Sequence, residues 1–174
     1  FVRSTILPGT TDEILIPALE RTSQKKAGTD FAVCYYPEFL RESTAIKDLY
    51  DPGVMVFGTM PGDERSVRMI EELTLPVAAE PTVVAIREAE AIKYANNSWH
   101  ALKISFSNEI GNICKALEID SHVVMRILCA DRRLNISPAY MKPGYAFGGS
   151  CLPKDLRALR SRARELDVST PVLD

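Results

Sequence analysis

An α/β first part joined to an all-helical second part is the fold class that the sequence predicts, and three observations predict it. Short apolar runs alternate with helix-like segments over residues 1–80. Over residues 82–117 no proline intervenes, and apolar side chains recur at steps of three and four. Beyond that point helical patterns continue, broken by one glycine-rich loop. Alternating strands and helices argue for a parallel sheet with crossover helices. The long unbroken pattern argues for a single extended helix.

Taken in order, residues 1–4 suit the end of a strand, and residues 10–23 suit a helix. Thr10 or Thr11 can cap that helix, Asp12 and Glu13 occupy its positive first turn, and Ile14, Ala18 and Leu19 share a face. Residues 31–36 read as a buried strand, 37–42 as a loop, 54–57 as a strand, 63–73 as a helix and 76–79 as a short extended piece. The long helix carries Trp99, Leu102, Phe106, Ile110, Ile113 and Leu117 as one stripe. At about 35 residues it is roughly three times the usual length, so a dimer partner or second domain is expected to cover that stripe. Residues 120–129 form the next helix and 153–166 the last, with Pro153 in its first turn. Arg157, Arg160, Arg162, Arg164 and Glu165 read as a solvated face of that last helix.

Composition narrows the function classes. The chain has 174 residues, 46% apolar and 25% charged, which excludes disordered and collagenous classes. Its 21 basic and 23 acidic side chains leave a charge of −2, so no basic excess argues for nucleic acid or an anionic membrane surface. No apolar run approaches the roughly 20 residues of a membrane span, and no signal peptide pattern opens the sequence, so a cytoplasmic location is expected. Four scattered cysteines and two histidines form no zinc spacing, and no metal site is expected.

The most informative segment is PGYAFGGSCLPKD, residues 143–155. Gly148 and Gly149 permit close approach of backbone to a ligand. Cys151 stands where a helix begins, so free N–H groups and the positive dipole end favour its thiolate and make it a candidate nucleophile. Lys154 and Asp155 share that first turn. The alternative is a small core cysteine beside an ordinary helix-start carboxylate. Cys34, Cys114 and Cys129 lack such surroundings and read as core.

On the long helix Glu90, Lys93, Asn97 and His100 follow at steps of three, four and three, a polar line along one face. Lys93 could stabilise an oxyanion and Asn97 could donate and accept hydrogen bonds. The alternative is an exposed face with a Glu90–Lys93 pair. A Cys151–His100 hydrolase would need those two side chains within hydrogen-bond reach. The loop PEFLRES, residues 37–43, brings Glu38, Arg41 and Glu42 to the C-terminal end of a predicted parallel strand, where ligands of open α/β sheets gather. RSTILPGT ends a strand in the same way, which puts Thr5 at that rim.

Together RSTILPGT, PEFLRES, EAIKYANNSWHALKISFSNEIGNICKAL, NISPAYMKPG and FGGSCLPKD resemble the nucleotide-sugar 6-dehydrogenases, the UDP-glucose and GDP-mannose dehydrogenase family. The resemblance runs in order along the whole chain, and the WHALK and NEIGNI phrases sit nearest the GDP-mannose branch. It implies the C-terminal part of a Rossmann-like NAD-binding domain over residues 1–80. A helical central domain that dimerises through the long helix would occupy 81–174, and a C-terminal nucleotide-sugar domain would lie outside a chain cut from a longer enzyme. It further implies oxidation of a sugar C6 alcohol to the uronic acid with two NAD, through a thiohemiacetal and a thioester on Cys151. Lys93 would stabilise charge at the C6 oxygen, Asn97 would hold sugar or water, Asp155 would position water or base, and Glu42 would assist hydrolysis. Thr5 and Lys154 match positions facing NAD. Glu38, Phe39, Leu40, Arg41, His100, Asn108, Asn135, Tyr140, Lys142 and Gly148 match positions lining the nucleotide-sugar site. Two departures stand out: Ala139 and Lys142 replace an aromatic and an arginine of the GDP-mannose pattern, and lysine lacks arginine's bidentate grip on phosphate. None of the nine glycines forms the GxGxxG that holds a dinucleotide pyrophosphate.

Overall fold

The computed structural model describes residues 1–41, 43–77, 79–137 and 151–174. The chain divides into two units, Phe1–Ser98 and Trp99–Asp174. The first unit runs through α1 (Ile16–Ser23), α2 (Ala45–Tyr50), β1 (Val56–Thr59), α3 (Glu64–Thr74), β2 (Thr82–Ala85) and the start of α4 (Ile86–Ala116). β1 and β2 are parallel, with Val56 opposite Thr82 and Thr59 opposite Ala85, and α3 crosses between them.

Two further extended segments add to the sheet by single links instead of ladders: Tyr35 pairs with Gly58 of β1 in the antiparallel sense, not as the parallel strand expected over 31–36, and Val2 pairs parallel with Tyr35. The Val2 and Tyr36 amides donate to the Cys34 and Val2 carbonyls, each at 2.8 Å, and Tyr35 and Gly58 exchange N–H···O bonds at 2.9 and 2.8 Å. Side chains alternate accordingly, as the two-residue period of extended chain requires. Cys34, Met55 and Phe57 pack with Ile70 of α3 on one face, with Tyr36 stacked on Phe57 at 4.2 Å between ring centroids. Tyr35 and Val56 pack with Ile86 and Ala89 of α4 on the other, joined by Ile16 of α1. Burial pushes the Cys34 thiol up to about 11, in keeping with a core role. At Gly58 a Cβ would lie 2.7 Å from the Ile86 Cα and 2.8 Å from the Ala89 Cβ, so the absent side chain is what lets α4 seat on the sheet.

Several elements differ from expectation. The strand expected at 54–57 lies at 56–59, and a second strand, β2, occupies residues that the helix pattern had absorbed. Thr82, Val83 and Val84 are β-branched and suit either reading, and pairing with β1 decides it. α1 opens with a π-helical turn, Thr11–Leu15, in which the Ile16 amide donates to the Thr11 carbonyl. Pro17 in the next turn has no N–H to offer the Glu13 carbonyl, the usual reason for such a bulge. α3 starts one residue later than the expected 63, with Asp63 as its cap, accepting from the Ser66 amide at 3.0 Å.

The second unit contains the rest of α4, α5 (Ser121–Ala130) and α6 (Cys151–Glu165). α4 ends where Glu118 adopts a left-handed backbone, φ 57°, and the Ile119 amide returns to the Cys114 carbonyl. Asp120 caps α5 through the His122 and Val123 amides. Ile113, Cys114 and Ala163 are buried, and so is Glu109, whose carboxylate accepts the Val172 and Leu173 amides at 2.8 and 3.0 Å. Trp99, Leu102 and Phe106 line a hollow with Val172 and Leu173, and Trp99 and Leu102 remain partly exposed. Cys129, read as core, is exposed: α5 buries none of its residues, and an apolar neighbourhood in sequence does not say which face of a helix is covered. Of the arginine run, Arg160 pairs with Asp174 and Arg162 with Glu165. Among the described residues no helix is long and apolar enough to cross a membrane, and no group of three candidate ligands could hold a metal ion.

Candidate active site

The chemistry-bearing residues of the first unit gather where the loop 37–41 meets α4. Pro37 is fully buried and anchors the loop as it leaves Tyr36. Lys93 is 7% exposed. Its Nζ donates to the Glu38 backbone carbonyl at 2.5 Å and reaches Glu38 Oε1 at 3.4 Å. The Phe39 ring lies 5.4 Å from the same Nζ, within cation–π range. A lysine so buried and bonded is held at one position, which suits a donor aimed at developing negative charge. The other oxygen of Glu38 accepts the Leu40 amide at 2.8 Å, which shapes the turn.

Arg41 faces its own chain. Its amide, Nε and Nη2 donate to the Asp48 carboxylate at 3.0, 2.9 and 2.6 Å, and Thr44 Oγ1 adds a fourth bond at 2.9 Å. The adjoining guanidinium holds the Asp48 carboxyl well below the usual carboxylate range. Asp48 and α2 therefore fasten the far side of the loop, a role that no sequence pattern flagged; the cue was an Asp seven residues after an Arg in a polar turn.

The polar line on α4 resolves into distinct parts. Glu90 is fully buried, and it bonds the Gly9 and Thr11 amides instead of pairing with Lys93. Asn97 and His100 are exposed, as are Thr5, Leu40, Asn108 and Asn135, while Glu38 and Phe39 are half-buried. Asn135 Nδ2 donates to the Leu128 carbonyl at 3.2 Å. In the second unit Cys151 is the first residue of α6, and Lys154 and Asp155 follow in its first turn, exposed and 3.4 Å apart. Glu42, Tyr140, Lys142 and Gly148 lie outside the described residues.

A parallel β–α–β crossover packed by helices on both faces, with a buried lysine where the loop after Tyr36 meets α4, defines an α/β protein. The chain belongs to the UDP-glucose/GDP-mannose dehydrogenase family: residues 1–77 match its NAD binding domain and residues 87–174 its central domain. It is 53% identical to a GDP-mannose 6-dehydrogenase of Pseudomonas putida over 99% of this chain and 39% of that protein. A crystal structure of a ternary complex of GDP-mannose dehydrogenase from Pseudomonas aeruginosa superposes with a TM-score of 0.95 at 52% identity, covering 99% of this chain and 39% of the other. A UDP-glucose dehydrogenase from Pyrobaculum islandicum superposes at 0.70 with 37% identity, covering 99% and 38%. The chain thus spans 39% of the length of the first of these relatives.

Proposed function

We propose that the intact protein oxidises the C6 alcohol of a nucleotide sugar, GDP-mannose in preference to UDP-glucose, to the uronic acid. The observation that carries this reading is the buried Lys93 ammonium clasped by Glu38 at the rim loop, in a chain about half identical to GDP-mannose 6-dehydrogenases. Conversion of a primary alcohol to a carboxylate removes two hydride equivalents, the chemistry that two NAD supply when bound. Thr5, exposed and with its hydroxyl unbonded among the described residues, fits a hydrogen bond to such a dinucleotide, and Lys154 offers it a cation. In this scheme residues 1–80 serve the cofactor and 81–174 form the central helical domain.

The Cys151 thiolate adds to the C6 aldehyde carbon to give a thiohemiacetal. Loss of the second hydride equivalent from that carbon leaves a thioester, and water cleaves it, releasing the carboxylate and the thiol. Lys93 stabilises the C6 oxygen as charge develops, Asn97 holds sugar or water, Asp155 positions the water, and Glu42 takes its proton. Glu38, Phe39 and Leu40 present the rim loop to the sugar, while Arg41, its charge already met by Asp48, shapes that loop. His100, Asn108, Asn135, Tyr140, Lys142 and Gly148 complete the nucleotide-sugar contacts. The partly exposed Trp99 and Leu102 on α4 favour a homodimer built on that helix, which sedimentation at several concentrations tests.

The test is NADH production by the intact protein with GDP-mannose beside UDP-glucose, for wild type and Cys151→Ala. The variant is expected to lose at least about a thousandfold in turnover, as nucleophile removals do. Wild-type turnover in the variant would overturn the covalent route, and a preference for UDP-glucose would move the reading to the UDP-sugar branch.

A further inference from the structure

Glu90 is a buried carboxylate that the chemistry above does not use. Its exposure is 0%. Oε2 accepts the Gly9 amide at 2.5 Å and Oε1 the Thr11 amide at 2.9 Å, so one side chain spans 81 and 79 residues of sequence to close the opening of α1. Burying a carboxylate is costly unless it is fully bonded, and here the N–H groups at a helix start supply both bonds and a favourable dipole. The neighbouring turns of α4 grip in the same direction. Arg87 bridges Asp12 and Glu13, each at 2.9 Å, and Lys93 holds Glu38. Gly9 turns with φ +95°, and a Cβ there would lie 3.1 Å from Glu13 Oε1, so that segment has little latitude.

We propose that Glu90 is a positioning residue: its carboxylate fixes the 7–11 loop on α4 and thereby holds Thr5, just upstream, in place for the dinucleotide. This rests on the proposed function, in which Thr5 faces NAD. Glutamine at position 90 keeps the shape but turns an N–H group toward one of the two amides, whereas aspartate keeps the charge at shorter reach.

Glu90→Gln and Glu90→Asp in the intact protein are read by amide exchange and by calorimetric titration with NAD. In Glu90→Gln the Gly9 and Thr11 amides should lose protection, and the Kd for NAD should rise about tenfold, the scale of one lost charged hydrogen bond. The KM for nucleotide sugar should stay unchanged, and aspartate should restore part of the NAD affinity. Retained protection at Gly9 and Thr11, or an unchanged Kd for NAD once that protection is lost, overturns the proposal. So does an equal rise in both substrates' constants, the mark of a general loss of fold. A wild type that binds NAD but oxidises no nucleotide sugar would sink the proposed function while the NAD titration still reads Glu90.

Discussion

Asp48 shows how much the course of a loop owes to one carboxylate packed behind it. Its carboxylate collects four bonds from Arg41 and Thr44 and so sets the course of the loop that carries Glu38 and Phe39. Because its folded-state pKa lies below the ordinary value of about 3.9, its contribution is full above that value and is lost as pH falls through the folded one. Asp48→Asn should therefore be least stable relative to wild type near neutral pH, with the gap closing below about pH 4. Urea unfolding across that range measures it, and a gap independent of pH would refute the assignment. Lys93 and Glu38 were both legible as candidates, one from its line on a helix and the other from its place after a strand. Their bond was not, because sequence spacing says which residues share an element and not which elements meet. For Glu90 the same limit produced a misreading: a Glu three residues before a Lys looks like a surface pair until a backbone with unsatisfied amides arrives from 80 residues away.

Among the elements, α4 depends on a glycine it does not contain. With Ile86 Cα 2.7 Å from where a Gly58 Cβ would stand, Gly58→Ala must push the helix off the sheet or bend β1. The expected loss is about 1–3 kcal/mol in thermal or urea unfolding. Gly53→Ala, with nothing within 4 Å, is the control expected to cost far less. Equal behaviour of the two would remove Gly58 from its role. Helical patterning made α3 and α5 legible nearly to the residue, and the Asp63 and Asp120 caps found in the structure fix where each starts. β2 and α2 were hidden for physical reasons. A four-residue strand, three of its residues β-branched, running straight into a helix has no boundary signal, and a six-residue helix held by one carboxylate has almost no period to read.

Over the whole molecule, α4 contributes the same device to each unit: a buried carboxylate that takes two backbone amides from a distant segment, Glu90 in the first and Glu109 in the second. Glu109 lay inside a phrase that carried the family resemblance and still read as one more helix charge, since nothing local shows the Val172 and Leu173 amides that need it. Glu109→Ala leaves those two amides unbonded, at a cost of about 1–3 kcal/mol, and their exchange should quicken about tenfold or more. Unchanged exchange there would show that other groups hold the turn. The shared device also has a consequence in time. Synthesis proceeds from the N-terminus, so Gly9 and Thr11 leave the ribosome well before the carboxylate that satisfies them, whereas Val172 and Leu173 emerge to a Glu109 already made. The opening of α1 must therefore wait, its polar groups on water, until some eighty further residues have been translated, while the last turn of the second unit can close as soon as it appears.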